Sequence, residues 1–133
     1  MKKILVIIFA MATFIATLHA QIDTTSTIVV EQNQEAQLAY NNGIALLESR
    51  NYDQAISQFE LALKYDANFI KAYINLGAAQ TFTKDYADAL QSYNKALLID
   101  STLGQVWYSI GLLYFNTNDN MKSLTNITRA IDL

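Results

Sequence analysis

Three of the four glycines, Gly43, Gly77 and Gly111, fall at intervals of 34 residues, and that interval governs what the chain can fold into. The same step carries Ala55 onto Ala89, Phe59 onto Tyr93, Ala62 onto Ala96 and Ala130, and Asp66 onto Asp100. It also carries Tyr52 onto Tyr86 and Tyr73 onto Trp107. Self-similarity at one fixed period marks a stacked array in which each unit repeats a small supersecondary motif. A single closed core would have no reason for it.

Each unit reads as two helices. "NFIKAYINLGAAQTF" and "STLGQVWYSIGLLYF" are helix-length apolar runs, opened by Asn68 and Ser101 as expected caps. A short polar bend follows, "TKD" or "NTND". The second helices, "YDQAISQFELALKYD" and "YADALQSYNKALLID", repeat apolar residues at three- and four-residue intervals. Units at 36–69, 70–103 and 104–133 then make an all-α array of six helices. One unit cannot bury its own apolar face, so at least three must stack.

The spacing also nominates packing residues. Gly43, Gly77 and Gly111 are expected where two helices approach closely, with the small Ala55, Ala62, Ala89 and Ala96 on the partner helices. Trp107 and the other aromatics are expected to fill the far side. On the last helix, Leu124, Ile127 and Ile131 are expected inward, and Thr125, Thr128 and Asp132 outward. Gly77→Leu is expected to cost more stability than Asp119→Ala near the end of the array.

The first twenty residues stand apart. "MKKILVIIFAMATFIATLHA" has a charged start at Lys2 and Lys3, an apolar run over 4–18 and small Ala20 at its end. This is the pattern of a secretory signal peptide. The run falls short of the roughly twenty residues that span a bilayer, so cleavage after Ala20 is favoured over a retained anchor. Residues 21–35, Thr- and Gln-rich, read as a flexible leader that becomes helical around Asn33. Export to a periplasmic or extracellular site is the expectation, with no stable membrane span after cleavage.

Composition removes several classes of function. Without Lys2 and Lys3, seven of the nine basic residues face twelve acidic ones, a formal charge of −5. That leaves no basic footprint for nucleic acid. There is no cysteine, and the one histidine, His19, lies in the signal segment. The remaining chain therefore lacks the parts of a Ser-His-Asp or Cys-His nucleophile and of an ordinary zinc site. Neither an enzyme nor a cofactor is expected.

The repeated residues resemble the tetratricopeptide repeat: an aromatic, Leu-Gly, Tyr-x-x-Ala, an aromatic, Ala-Leu and Asp, in that order. The middle unit supplies Tyr73, Leu76-Gly77, Tyr86 with Ala89, Tyr93, Ala96-Leu97 and Asp100. The first unit matches through Gly43, Tyr52, Ala55, Phe59, Ala62-Leu63 and Asp66, but has Ala39 and Asn42 at two motif positions. The third has Trp107, Ile110-Gly111, Tyr114 and Ala130, and departs at Asn120, Ser123 and Ile127. Ala67 and Ser101 stand where the family usually has proline.

The resemblance implies a right-handed superhelical solenoid that serves as a scaffold for protein–protein contact. It also implies a concave groove, lined by positions three before and one, four and five after each glycine. At about 100° per residue, that face lies roughly 140° from the core face. Its apolar and aromatic members here are Tyr40, Ile44, Leu47, Ile74, Ala78, Phe82, Tyr108, Leu112 and Phe115. The family's clamp for a terminal carboxylate needs Lys, Arg and Asn. The matching positions are Tyr40, Ile44, Ile74, Ala78, Tyr108 and Leu112, which cannot build one. An apolar or aromatic peptide, or an amphipathic helix, is the expected ligand. The alternative is a structural, self-associating subunit of an envelope complex that uses the array ends.

Overall fold

Each pair of helices is joined through a residue in left-handed backbone conformation, and these residues are again 34 apart: Arg50 (φ 63°), Lys84 (φ 68°) and Asn118 (φ 61°). The computed structural model in which they are seen describes residues 28–133. The expected signal segment and the leader up to residue 27 lie outside the described residues. The chain divides into two units, 1–34 and 35–133. In the first, residues 28–34 are helical, earlier than the start expected at Asn33. Glu31, Gln32 and Gln34 favour helix, and no Gly or Pro interrupts them.

The second unit is the array, all-α among its described residues. Helical residues 35–48 form α1. There follow α2 (Tyr52–Tyr65), α3 (Ile70–Thr83), α4 (Tyr86–Ile99), α5 (Gly104–Asn116) and α6 (Asn120–Ile131). Packing joins α2 to α3, α3 to α4, α4 to α5 and α5 to α6.

The turns inside the units share one hydrogen-bond pattern. Lys84 N–H donates to the Thr81 carbonyl (3.2 Å) and Asp85 N–H to that of Gln80 (2.8 Å). Arg50 and Asn51 donate in the same way to Leu47 and Leu46, and Asn118 and Asp119 to Phe115 and Tyr114. This is the Schellman arrangement, which satisfies the last carbonyls of the first helix and reverses the chain.

The junctions between units rest on aspartate. Asn68 and Ser101 are not the caps: α3 and α5 begin after Phe69 and Leu103, with no side-chain cap. Instead, Asp66 and Asp100 each accept a backbone N–H through Oδ1, from Asn68 and Thr102, at 2.9 Å. The repeated acidic residue thus closes an Asx turn that aims the next unit.

Close approach at the glycines is as expected, but what fills it is not. A β-carbon on Gly43 would lie 2.6 Å from the Phe59 ring, and one on Gly77 would lie 2.7 Å from the Tyr93 ring. The aromatic ring sits on the glycine of its own unit rather than on the far side. In the third unit Ile127 replaces the ring, and backbone atoms of α6 come within 3.2 Å of the same point on Gly111. Phe59 is fully buried, which stabilises by roughly 1.5–3 kcal/mol. Ala55, Ala62, Ala89 and Ala96 are all 0% exposed.

The core runs between units as much as within them. Ala55 and Phe59 of α2 share a cluster with Leu76 and Ala79 of α3. Tyr93 and Leu97 of α4 share another with Val106, Ile110 and Leu113 of α5. The last helix departs from expectation. Ser123 is its buried residue, whereas Leu124 and Ile131 are 64% and 78% exposed. Repeat position decides this: Ser123 occupies the place of Ala89 and Ile127 that of Tyr93, so that face turns toward α5. Asp119, expected to be an inexpensive site, caps α6 by accepting Lys122 N–H at 3.2 Å.

Candidate functional site

On α5, three faces are occupied in three different ways. Val106, Ile110 and Leu113 are buried with α4 residues. Gly111 lies against α6. Trp107 is half-buried, and its indole Nε1 donates to the Ser101 carbonyl at 3.0 Å. The remaining side carries Tyr108, Leu112 and Phe115, which are 49%, 41% and 62% exposed. Their spacing of four and three residues places them one above another on the helix. The helix is apolar all round because its neighbours bury two sides and the third is open.

The other six expected groove residues divide. Tyr40, Ile44, Leu47, Ile74 and Ala78 are half-buried. Tyr40 packs its ring against Phe69 (4.8 Å between centroids) and Phe59 (5.9 Å), and its hydroxyl accepts from Asn75 Nδ2 at 3.0 Å. Ile44 and Leu47 pack on the Phe59 cluster, and Ile74 on the Tyr93 cluster. These residues have a core role alongside any contact with a ligand. Phe82 is open, at 60% exposure, and stacks on Tyr52 at 4.8 Å with 12° between the planes.

Tyr52 was not among the residues expected at the site. It recurs as Tyr86 and therefore reads as part of the repeat, whereas Phe82 is replaced by Glu48 and Asn116 one period away. Comparing the two periodicities is the signal that could have found the pair.

The nine residues are uncharged, and Glu48 follows Leu47 directly. Nearby in the core, burial pushes the Tyr93 phenol above its ordinary value, partly offset by side-chain hydrogen bonding to Thr81 and Ser109. A cavity of about 350 Å³ lies elsewhere, bounded by Glu60 of α2, Tyr73, Leu76 and Gln80 of α3, and Asp88 and Ser92 of α4 among others. Its floor holds a buried polar pair: the Ser92 hydroxyl donates to Gln80 Oε1 at 2.7 Å. Among the described residues there is no acidic, His or Cys cluster able to hold a metal, and no helix long and apolar enough to cross a membrane.

Tetratricopeptide repeat models match residues 36–69 and 70–103. No curated protein sequence matches. Among solved structures, the crystal structure of MamA is similar with a TM-score of 0.72 and 21% identity, over 79% of this chain and 61% of that one. This chain thus spans less than two thirds of that protein. The Arabidopsis OM64 TPR domain is similar at 0.74 and 19%, over 77% and 84% of the two chains. The first TPR of Spaghetti (RPAP3), solved bound to the HSP90 peptide SRMEEVD, is similar at 0.72 and 18%, over 75% and 79%. At these identities the likeness is one of fold.

Proposed function

Since the chain belongs to the tetratricopeptide repeat family, we propose that it is an exported protein–protein interaction module that binds an apolar or aromatic segment on the open side of α5. The observation that carries this reading is the row Tyr108, Leu112 and Phe115, three large side chains exposed together on one helix face. Exposed apolar side chains grouped on one face suit an interaction site, and aromatic anchors supply most of the energy of such contacts. Phe82 with Tyr52 offers a second aromatic contact on the preceding unit.

The chemistry of the face selects the ligand. The Spaghetti TPR was solved with a peptide that contains two glutamates and an aspartate. The row on α5 offers no cation to such carboxylates, so an amphipathic helix or an extended apolar peptide is the better fit. Export, by the charged and apolar segment that ends at Ala20, puts the module in a periplasmic or extracellular setting.

The test is the double variant Tyr108→Lys with Phe115→Lys. Both side chains are exposed, so the thermal midpoint is expected to move little. Capture of the native partner from the cell envelope is expected to be lost. Unfolding of the variant would make these residues core, and undiminished capture would place the ligand elsewhere; either outcome overturns the reading. Intact-mass measurement of the native protein tests the export step, with a chain beginning at Gln21 as the expected result.

A further inference from the structure

One face of each second helix is normally covered by the unit that follows. At the 34-residue step, Ile56 and Leu63 of α2 correspond to Leu90 and Leu97 of α4 and to Leu124 and Ile131 of α6. Ile56 and Leu63 pack against the cluster that contains Leu76 and Ala79 of α3. Leu97 is 8% exposed, in a cluster with Val106, Ile110 and Leu113 of α5, and Leu90 packs on the same cluster. On α6 the equivalent pair is 64% and 78% exposed, and Met121 beside it is 77% exposed. The face is the same, and on α6 it is exposed.

The complementary half is on α1. Ala72 of α3 and Val106 of α5 are each 0% exposed, in clusters with residues of the preceding second helix. Their equivalent on α1 is Leu38, which is 56% exposed. Ala45, the equivalent of Ala79 and Leu113, is exposed as well. Among the described residues, the chain therefore displays both halves of a junction that it builds twice inside itself.

We infer that the α6 stripe docks on α1 of a second copy, head to tail, independently of the α5 ligand face. Repeat position extends the match to the rim. Where Phe82 stacks on Tyr52 inside the chain, the intermolecular junction pairs Glu48 with Asn120, a carboxylate with an amide. Leu124, Ile131, Leu38 and Ala45 bring no charge into its centre. A contact between two different faces leaves one half free on each copy of a pair, so it adds further copies, as a ring or an open series, rather than stopping at a dimer.

Sedimentation of the full, natural protein over a range of concentrations reads the assembly. The expected result is a mass that grows past the dimer as concentration rises. Leu38→Glu and Leu124→Glu, each at an exposed position, are expected to keep the wild-type melting curve and to be monomeric alone. Mixed, they are expected to form a one-to-one dimer, because each variant retains the half that the other has lost. A wild-type monomer at every concentration, or a mixture that stays monomeric, would sink the inference. So would a Leu38→Glu variant that still dimerises while Leu124→Glu does not, which would mean α6 pairs with itself. Loss of assembly in the Tyr108→Lys, Phe115→Lys variant would assign self-association to the α5 face and overturn it too.

Discussion

The ring of Tyr93 fills the space that a β-carbon on Gly77 would need, with Cε1 2.7 Å from that point. Tyr93 is 4% exposed, so the ring has little room to withdraw. Alanine would favour the helix by about 1 kcal/mol over glycine, but overpacking a filled core costs roughly 1–3 kcal/mol. The clash wins. Gly77→Ala is expected to lower the stability measured by urea unfolding, and Gly77→Leu to lower it further. Asn94→Ala, on the exposed side of α4, is the control and is expected to stay within about 0.5 kcal/mol of wild type. Equal losses for Gly77→Ala and the control would mean that the ring is not seated on the glycine.

The left-handed turns offer the opposite sign. An L-residue in that conformation bears a cost of about 1–2 kcal/mol that glycine avoids, less the extra freedom glycine has when unfolded. Lys84→Gly and Arg50→Gly are each expected to raise stability by up to about 1 kcal/mol. Asn118→Gly is expected to gain less, because asparagine tolerates the conformation better. Unfolding midpoints that rank Asn118→Gly first would contradict this account of the turns.

A buried hydroxyl supplies the third case. Ser92 donates to Gln80 Oε1, and both are buried. Gln80→Leu, which installs the residue found at the equivalent Leu46, strands that donor at a cost of about 1–3 kcal/mol. Adding Ser92→Ala removes the stranded group and is expected to recover much of the loss. A double-mutant cycle by thermal unfolding measures the coupling; strict additivity would show that the pair is not a unit.

At the start of α6, Asp119 and Lys122 titrate against each other. Hydrogen bonding from the Lys122 side chain and N–H holds the Asp119 carboxyl below its usual value, and the hydrogen bond to Asp119 in turn raises the Lys122 ammonium. Their charged atoms are 2.8 Å apart. A lowered carboxylate lends stability above its unfolded pKa and loses it as pH falls through the folded one. A raised ammonium lends stability below its unfolded pKa and loses it as pH rises through the folded one. The cap is therefore expected to hold between those ranges and to loosen at both extremes. NMR titration of the Asp119 carboxyl is expected to give a midpoint below an ordinary aspartate, and Lys122→Ala to bring it back toward normal. An ordinary midpoint in the wild type would remove the pair from the account.

How far residues alone could be read depended on whether a position repeats. The glycine interval pointed to the helices and to Ala55, Ala62, Ala89 and Ala96, four of the eight buried alanines among the described residues. It did not say what meets each glycine, because Phe59 and Tyr93 lie sixteen residues on, beyond any helical spacing. On α6, amphipathicity put Leu124 and Ile131 inside, whereas repeat position put Ser123 there, and the structure follows repeat position. Tyr40 was placed by angle alone. Nothing in a helical wheel announces Phe69, which arrives from the next junction to cover it.

The principal packings join helices that are consecutive in the chain: α2 with α3, α3 with α4, α4 with α5 and α5 with α6. Contacts between near neighbours in sequence close short loops, and chains built from them reach the native state quickly. A contact such as that of Tyr40 with Asn75 skips one helix only. Structure can accumulate one helix at a time, and backbone amides at the ends of the series should exchange with solvent sooner than those of α3 and α4.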